Sequence, residues 1–127
     1  MKHPTPTGIA RLIAAFRNSK AGFRDIWQRE EAFRLEVIGL AVSCPVALWL
    51  ASSLGQFALL IGSILILIIV EVLNSAIEAT IDRIGPERHE LSRIAKDLGS
   101  LAVLLTCLFP LAIWASVILA RLDMITL

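Results

Sequence analysis

Three long apolar stretches dominate the chain, from about Val37 to Leu54, from Phe57 to Ile81 and from Leu98 to Ala120. Each approaches or exceeds the ~20 residues that a helix needs to cross a hydrocarbon core. The pattern therefore predicts transmembrane helices over 37–54, 57–81 and 98–120. Pro45 and Pro110 fall inside the first and third; they would argue against a helix in water, but membrane helices tolerate such kinks. The link Ser52-Ser53-Leu54-Gly55-Gln56 reads as a tight, uncharged hairpin. Residues 8–34 have another rhythm. Ile9, Leu12, Ile13, Phe16, Phe23 and Trp27 recur at helical spacing, interrupted by Arg11, Arg17, Arg24 and Arg34. That is an amphipathic helix too polar to span, expected to lie on the membrane surface, with Gly22 marking a bend. A helix packed on a soluble partner is the alternative. Residues 82–97 read as a charged loop, and no repeat or low-complexity segment interrupts the chain. The expected fold is an all-α membrane protein: one domain over 1–127, with three transmembrane helices behind a surface helix.

Composition agrees with the pattern. Hydrophobic residues make up 57% and charged residues 18%, where a soluble domain is nearer ~45–50% and ~25%. Between Val37 and Ile81 the carboxylates of Glu71 and Glu78 are the only charged groups. A soluble enzyme, a nucleic-acid-binding domain and a disordered chain are excluded in practice, and no nucleic-acid partner is expected. Cys44 and Cys107 sit in apolar runs, where they act as small buried hydrophobes, and no CxxC or His-Cys spacing supports a zinc site. No short apolar stretch follows Lys2, so a signal peptide is not expected.

Basic residues orient the helices. Seven of the twelve Lys and Arg precede the first span, four lie between spans two and three, and only Arg121 follows the third. The positive-inside rule puts the N-terminal helix and the 82–97 loop in the cytoplasm, with the hairpin and C-terminus outside.

The second span carries the candidate chemistry. Glu71, Asn74, Ser75, Glu78 and Asp82 share one helical face. A charged carboxylate in a membrane costs several kcal/mol, about 3 on insertion scales, so two on one stripe call for a function. A polar seam holding helices together is the plainer reading, strongest for Asn74 and Ser75. Counted from Phe57 at ~1.5 Å per residue, Glu71 lies roughly 21 Å in, in the cytoplasmic third, and Glu78 about 10 Å further on. A proton-coupled carrier would keep its acid nearer the midplane. A row joining lipid depth to water depth fits an enzyme that brings a bilayer substrate to a soluble one. Beyond it come Glu87, His89, Glu90, Lys96 and Asp97, then Gly99 and Ser100. Lys96 can neutralise a phosphate or simply anchor the third span. Neither a GxxxxGK[ST] loop nor a Gly-rich loop paired with HRD and DFG is present, so nucleotide chemistry here would use carboxylate-held metal.

At these residues the chain resembles the prokaryotic diacylglycerol kinase family of small three-span membrane enzymes. The matching pieces are Glu71-Val-Leu-Asn-Ser-Ala-Ile-Glu78-Ala-Thr-Ile-Asp-Arg83, His89-Glu-Leu-Ser, Ala95-Lys-Asp-Leu-Gly-Ser100 and Trp27-Gln-Arg-Glu30-Glu-Ala-Phe-Arg34-Leu-Glu36. The likeness covers roughly residues 8–120 and departs from the family pattern at Asn18 and Lys20. It implies a homotrimer with active sites between subunits, in a bacterial inner membrane, which uses Mg²⁺-ATP to phosphorylate a lipid hydroxyl. Glu71 then matches the catalytic base, and Glu30 and Glu78 match the metal-binding carboxylates. Arg11, Asn18, Glu30, Glu78, Glu87, His89, Lys96 and Asp97 match positions that contact the nucleotide. Arg11, Arg24, Trp27, Arg34, Trp49, Glu71, Asn74, Ser100 and Trp114 match positions on the lipid-substrate side. Diacylglycerol is the expected alcohol and undecaprenol the alternative. The rival from another class is a small multidrug-type proton-coupled carrier, which needs a fourth span; a purely structural membrane subunit would not need Glu71.

Overall fold

The computed structural model describes residues 7–122, which form four helices: α1 (Gly8–Arg29), α2 (Glu31–Leu50), α3 (Leu54–Ile84) and α4 (Glu90–Arg121). Helices α2, α3 and α4 are each long and apolar enough to cross a membrane. The described residues thus hold three such helices, not the four of the rival carrier. Short connections make sequence neighbours antiparallel. α3 is central, packing along both α2 and α4, which touch each other little. At ~1.5 Å per residue its 31 residues run about 46 Å, well beyond ~30 Å of hydrocarbon. One end of α3 therefore has to project into water, and the polar stripe lies at that end.

The α2–α3 turn is closed by its own side chains. Ser53 caps α3 by accepting the Gln56 N–H at 3.1 Å, while Gln56 Oε1 accepts the Ser52 N–H at 2.7 Å. This is a variant of the Ser-x-x-Gln capping box, in which two otherwise unpaired donors are met reciprocally. Beside the turn sits the small buried core, Ala47, Leu50, Leu60 and Val117. Trp114 ties α4 to α3 there, its indole N–H donating to the Leu60 carbonyl at 3.2 Å.

The element boundaries differ from the sequence pattern, and the first long helix ends at Leu50 rather than Leu54. The expected 8–34 helix breaks at Glu30, whose extended backbone (φ −108°, ψ 111°) ends α1 and begins α2. Residues 31–36 thus join the first long helix, because one extended residue suffices to turn the chain from one axis to another. The helix runs through Gly22 without interruption. The expected 82–97 loop shrinks to residues 85–89. Gly85 makes that turn possible with φ 153°, a conformation essentially confined to glycine. The charged residues after it are helical, since Arg93 pairs with Glu90 and Asp97 at i−3 and i+4, spacings that support a helix in water. Pro45 and Pro110 remain inside α2 and α4.

Candidate active site

The site begins at the α1–α2 elbow. Phe23 stacks on Trp27 at 5.7 Å between ring centroids, and the buried Phe33 of α2 meets both edge-on, at 5.5 and 6.4 Å. Arg34 reaches back from α2 and donates to the Trp27 carbonyl at 2.7 Å and the Gln28 carbonyl at 3.4 Å. These are among the carbonyls a helix end leaves without intrahelical partners, so Arg34 caps α1 in space rather than in sequence. The aromatic cluster and this cap hold the elbow residue Glu30 toward α3.

Across from the elbow runs the polar stripe of α3. Glu71 is buried (6% exposed), whereas Asn74, Ser75 and Glu78 are half-buried and Asp82 is exposed. Exposure therefore rises along one helix face from Glu71 to Asp82. A cleft of about 650 Å³ separates elbow from stripe, with Asp25 and Glu30 on one wall and Ser75, Glu78 and Asp82 on the other. Glu30 and Glu78 both lie within electrostatic reach of Glu71. Glu36 does too, and its Oε2 is buried without a hydrogen-bond partner. Asn74 links stripe to α4: Nδ2 donates to Glu78 Oε1 at 3.3 Å, while Oδ1 lies against Gly99.

A second hollow, of about 550 Å³, opens at the α3–α4 turn and gathers Asp82, Glu87, His89 and Lys96. Lys96 donates to Asp82 Oδ1 at 2.7 Å. It precedes the apolar stretch of α4, and the hydrogen-bonded carboxylate holds its ammonium above the usual lysine range. His89 caps α4, Nδ1 accepting the Leu91 N–H at 3.2 Å. Asp82 lines both hollows, which makes them neighbouring parts of one polar surface.

The remaining candidates lie elsewhere. Asp97 pairs with Arg93 at 2.5 Å, and Ser100 is exposed on α4. Arg11 and Asn18 are exposed on α1, and Arg24 and Trp27 line a separate hollow with Lys20 on another face of that helix. Trp49 is 72% exposed. Trp114, bonded at Leu60, is about 16 Å from Glu71 along α3, eleven residues at ~1.5 Å each. Asp25 is a site neighbour that the sequence pattern did not single out. Glu36 and Gly99 stand in the stretches that carry the family resemblance, but the pattern assigns neither a role: Glu36 lies one residue ahead of the apolar run, and Gly99 reads only as the start of the third span.

Among the described residues no three Asp, Glu, His or Cys side chains converge as a ready-made metal cage. Magnesium does not require one. It is usually held by one or two carboxylates, with waters and substrate phosphate oxygens completing its octahedron. Glu30 and Glu78, facing one cleft with only oxygen donors around them, suit such an ion and would suit a thiolate-seeking metal poorly.

A sequence model of prokaryotic diacylglycerol kinase matches residues 17–118. The chain is 45% identical to the diacylglycerol kinase of Escherichia coli (strain K12) over 108 residues, 85% of this chain and 88% of that one. It is also 45% identical to the diacylglycerol kinase of Pseudomonas aeruginosa over 113 residues, covering 89% and 92%. Identity to the Helicobacter pylori (strain 26695) enzyme of the same name is 38% over 118 residues, covering 92% and 91%.

Proposed function

The chain belongs to the prokaryotic diacylglycerol kinase family, and on that premise we propose that it transfers the γ-phosphate of ATP to the primary hydroxyl of diacylglycerol. The products are phosphatidic acid and ADP. The reaction takes place at the cytoplasmic boundary of a bacterial inner membrane, with α1 on the surface, the N-terminus inside and the C-terminus outside. One observation carries the reading: a buried Glu71, a half-buried Glu78 and an exposed Asp82 follow one another on one helix face, opposite Glu30. A lipid hydroxyl approaching from the bilayer meets the buried end of that row, and a nucleotide from the cytosol meets the other.

Phosphoryl transfer asks a protein for positioning and charge neutralisation more than for covalent chemistry. Glu71 accepts the hydroxyl proton as the lipid oxygen bonds to the γ-phosphorus. The bond from that phosphorus to the β–γ bridging oxygen breaks, and ADP leaves with the electron pair. Bound Mg²⁺ supplies neutralisation of the phosphate charge. Glu30 and Glu78 would hold it, with Asn74 steadying Glu78 through the 3.3 Å hydrogen bond. Lys96 exchanges Asp82 for phosphate oxygens, and Glu87 and His89 border the nucleotide. The long apolar faces of α2, α3 and α4 are met by lipid and by two further copies of the chain in a homotrimer.

The test is purified protein with Mg²⁺-ATP and either diacylglycerol or undecaprenol, followed for phosphorylated lipid. Diacylglycerol should be the better acceptor. Glu71→Gln should lower turnover by at least ~10²-fold, the usual scale of general-base help, while folding and binding of an ATP analogue persist. Undiminished turnover in that variant rules Glu71 out as the base.

A further inference from the structure

Among the helical glycines of the described residues, Gly99 differs from the rest. A Cβ built on Gly22, Gly39 or Gly62 meets nothing within 4 Å, whereas one built on Gly99 runs into Asn74 Oδ1. Gly99 is buried in α4, opposite the polar stripe of α3. Asn74 has little choice of orientation there. An ionised carboxylate only accepts hydrogen bonds, so the amide has to turn its NH₂ to Glu78, as the 3.3 Å contact records. The carbonyl then points the other way and lies buried against Gly99 without a hydrogen-bond partner. A Cα–H is the weak donor that can approach an oxygen so closely, and only glycine leaves its Cα open on that side.

The geometry points to Gly99 as a positioning residue. By lacking a side chain it lets Asn74 lie against α4 with its nitrogen aimed at Glu78, and so presets that carboxylate for a divalent cation. The inference rests on the reading of Glu78 as a metal ligand. An Ala at 99 leaves Asn74 two ways out, to rotate or to part the helices. Rotation is easier, because a side chain with two torsions yields before the long α3–α4 seam does. Rotation takes the Asn74 donor away from Glu78, its neighbour on the same helix. Loss of such an outer partner typically costs 10–100-fold in metal affinity or activity.

Mn²⁺ provides a probe independent of turnover, since its free-ion paramagnetic resonance signal reports binding directly. Purified protein with a non-hydrolysable ATP analogue is titrated with Mn²⁺ as wild type, Gly99→Ala, Asn74→Ala, the double variant, Gly62→Ala and Glu78→Gln. Gly99→Ala should weaken Mn²⁺ binding about tenfold, Asn74→Ala should match it, and the double variant should be no worse than either. Gly62→Ala should bind as wild type does. Wild-type affinity in Gly99→Ala, or losses that multiply in the double variant, overturns the inference. If Gly99→Ala does not assemble, its rescue by Asn74→Ala supports the contact, and failure of that rescue overturns it. Glu78→Gln separates the two readings. Wild-type Mn²⁺ binding in that variant removes Glu78 as a ligand and the inference with it, whereas loss there with retention in Gly99→Ala removes the role of Gly99 alone.

Discussion

A carboxylate is among the side chains a bilayer tolerates least, and α3 carries three, Glu71, Glu78 and Asp82, along the face that also holds Asn74. Their value lies in unequal surroundings. Glu71 is shielded from water, whereas Asp82 is exposed and bonded to Lys96. In the proposed reaction Lys96 is the clearest case of a residue with two partners. In this structure it is bonded to Asp82 across the α3–α4 gap, and an exposed ion pair of this kind adds little to stability. Its larger effect in the proposed reaction is on phosphate. Lys96→Met should therefore leave the thermal midpoint nearly unchanged and raise KM for ATP about tenfold or more, since a charge-assisted contact is lost, with KM for the lipid unaltered. Steady-state kinetics in both substrates decides this, and equal rises in the two KM values would point to general distortion.

At the scale of elements, the elbow between α1 and α2 matters most. α1 packs sparsely, touching mainly α2, so its placement depends on the aromatic cluster and on Arg34. Arg34 was a candidate for lipid contact, yet its guanidinium donates to the carbonyls that end α1. Arg34→Met should loosen that end by about 1–2 kcal/mol, the loss of hydrogen bonds from a charged donor. Amide exchange over residues 26–30 should quicken about tenfold, by the same free energy, while exchange in the α3–α4 seam stays slow. Unchanged exchange at the elbow would leave the cap without energetic weight. The charged start of α4 teaches a related lesson. The charges of residues 82–97 read as a loop, but Glu90, Arg93 and Asp97 pair at helical spacing. Charge density marks exposure to water, not absence of a helix.

For the whole molecule, one chain exposes 9882 Å², where a compact soluble chain of 13.9 kDa would expose about 6,700 Å². Much of the excess is apolar, including Leu48, Leu59, Leu104 and Leu111, each more than 60% exposed. Lipid and partner copies are the two covers available to such a surface. Light scattering of the detergent-solubilised protein, with the detergent mass subtracted, should give the mass of three 13.9 kDa chains. A single-chain mass would remove the trimer and with it any site shared between subunits.

Much of this architecture was legible along the chain because its causes are local. A bilayer demands ~20 apolar residues per crossing, and a stripe at 0, 3, 4, 7 and 11 falls on one face of any α-helix, so the three long helices and the row from Glu71 to Asp82 needed no coordinates. Glu30 is more than forty residues from Glu71 in the chain, and no periodicity relates the two. Only the turn at the elbow, a single residue outside helical dihedrals, brings it opposite Glu78. Gly99 is plainer still, because its importance is the space it leaves for Asn74 on another helix. Local spacing is written in the chain, whereas contact between distant segments depends on how whole helices cross, and that is decided when they pack.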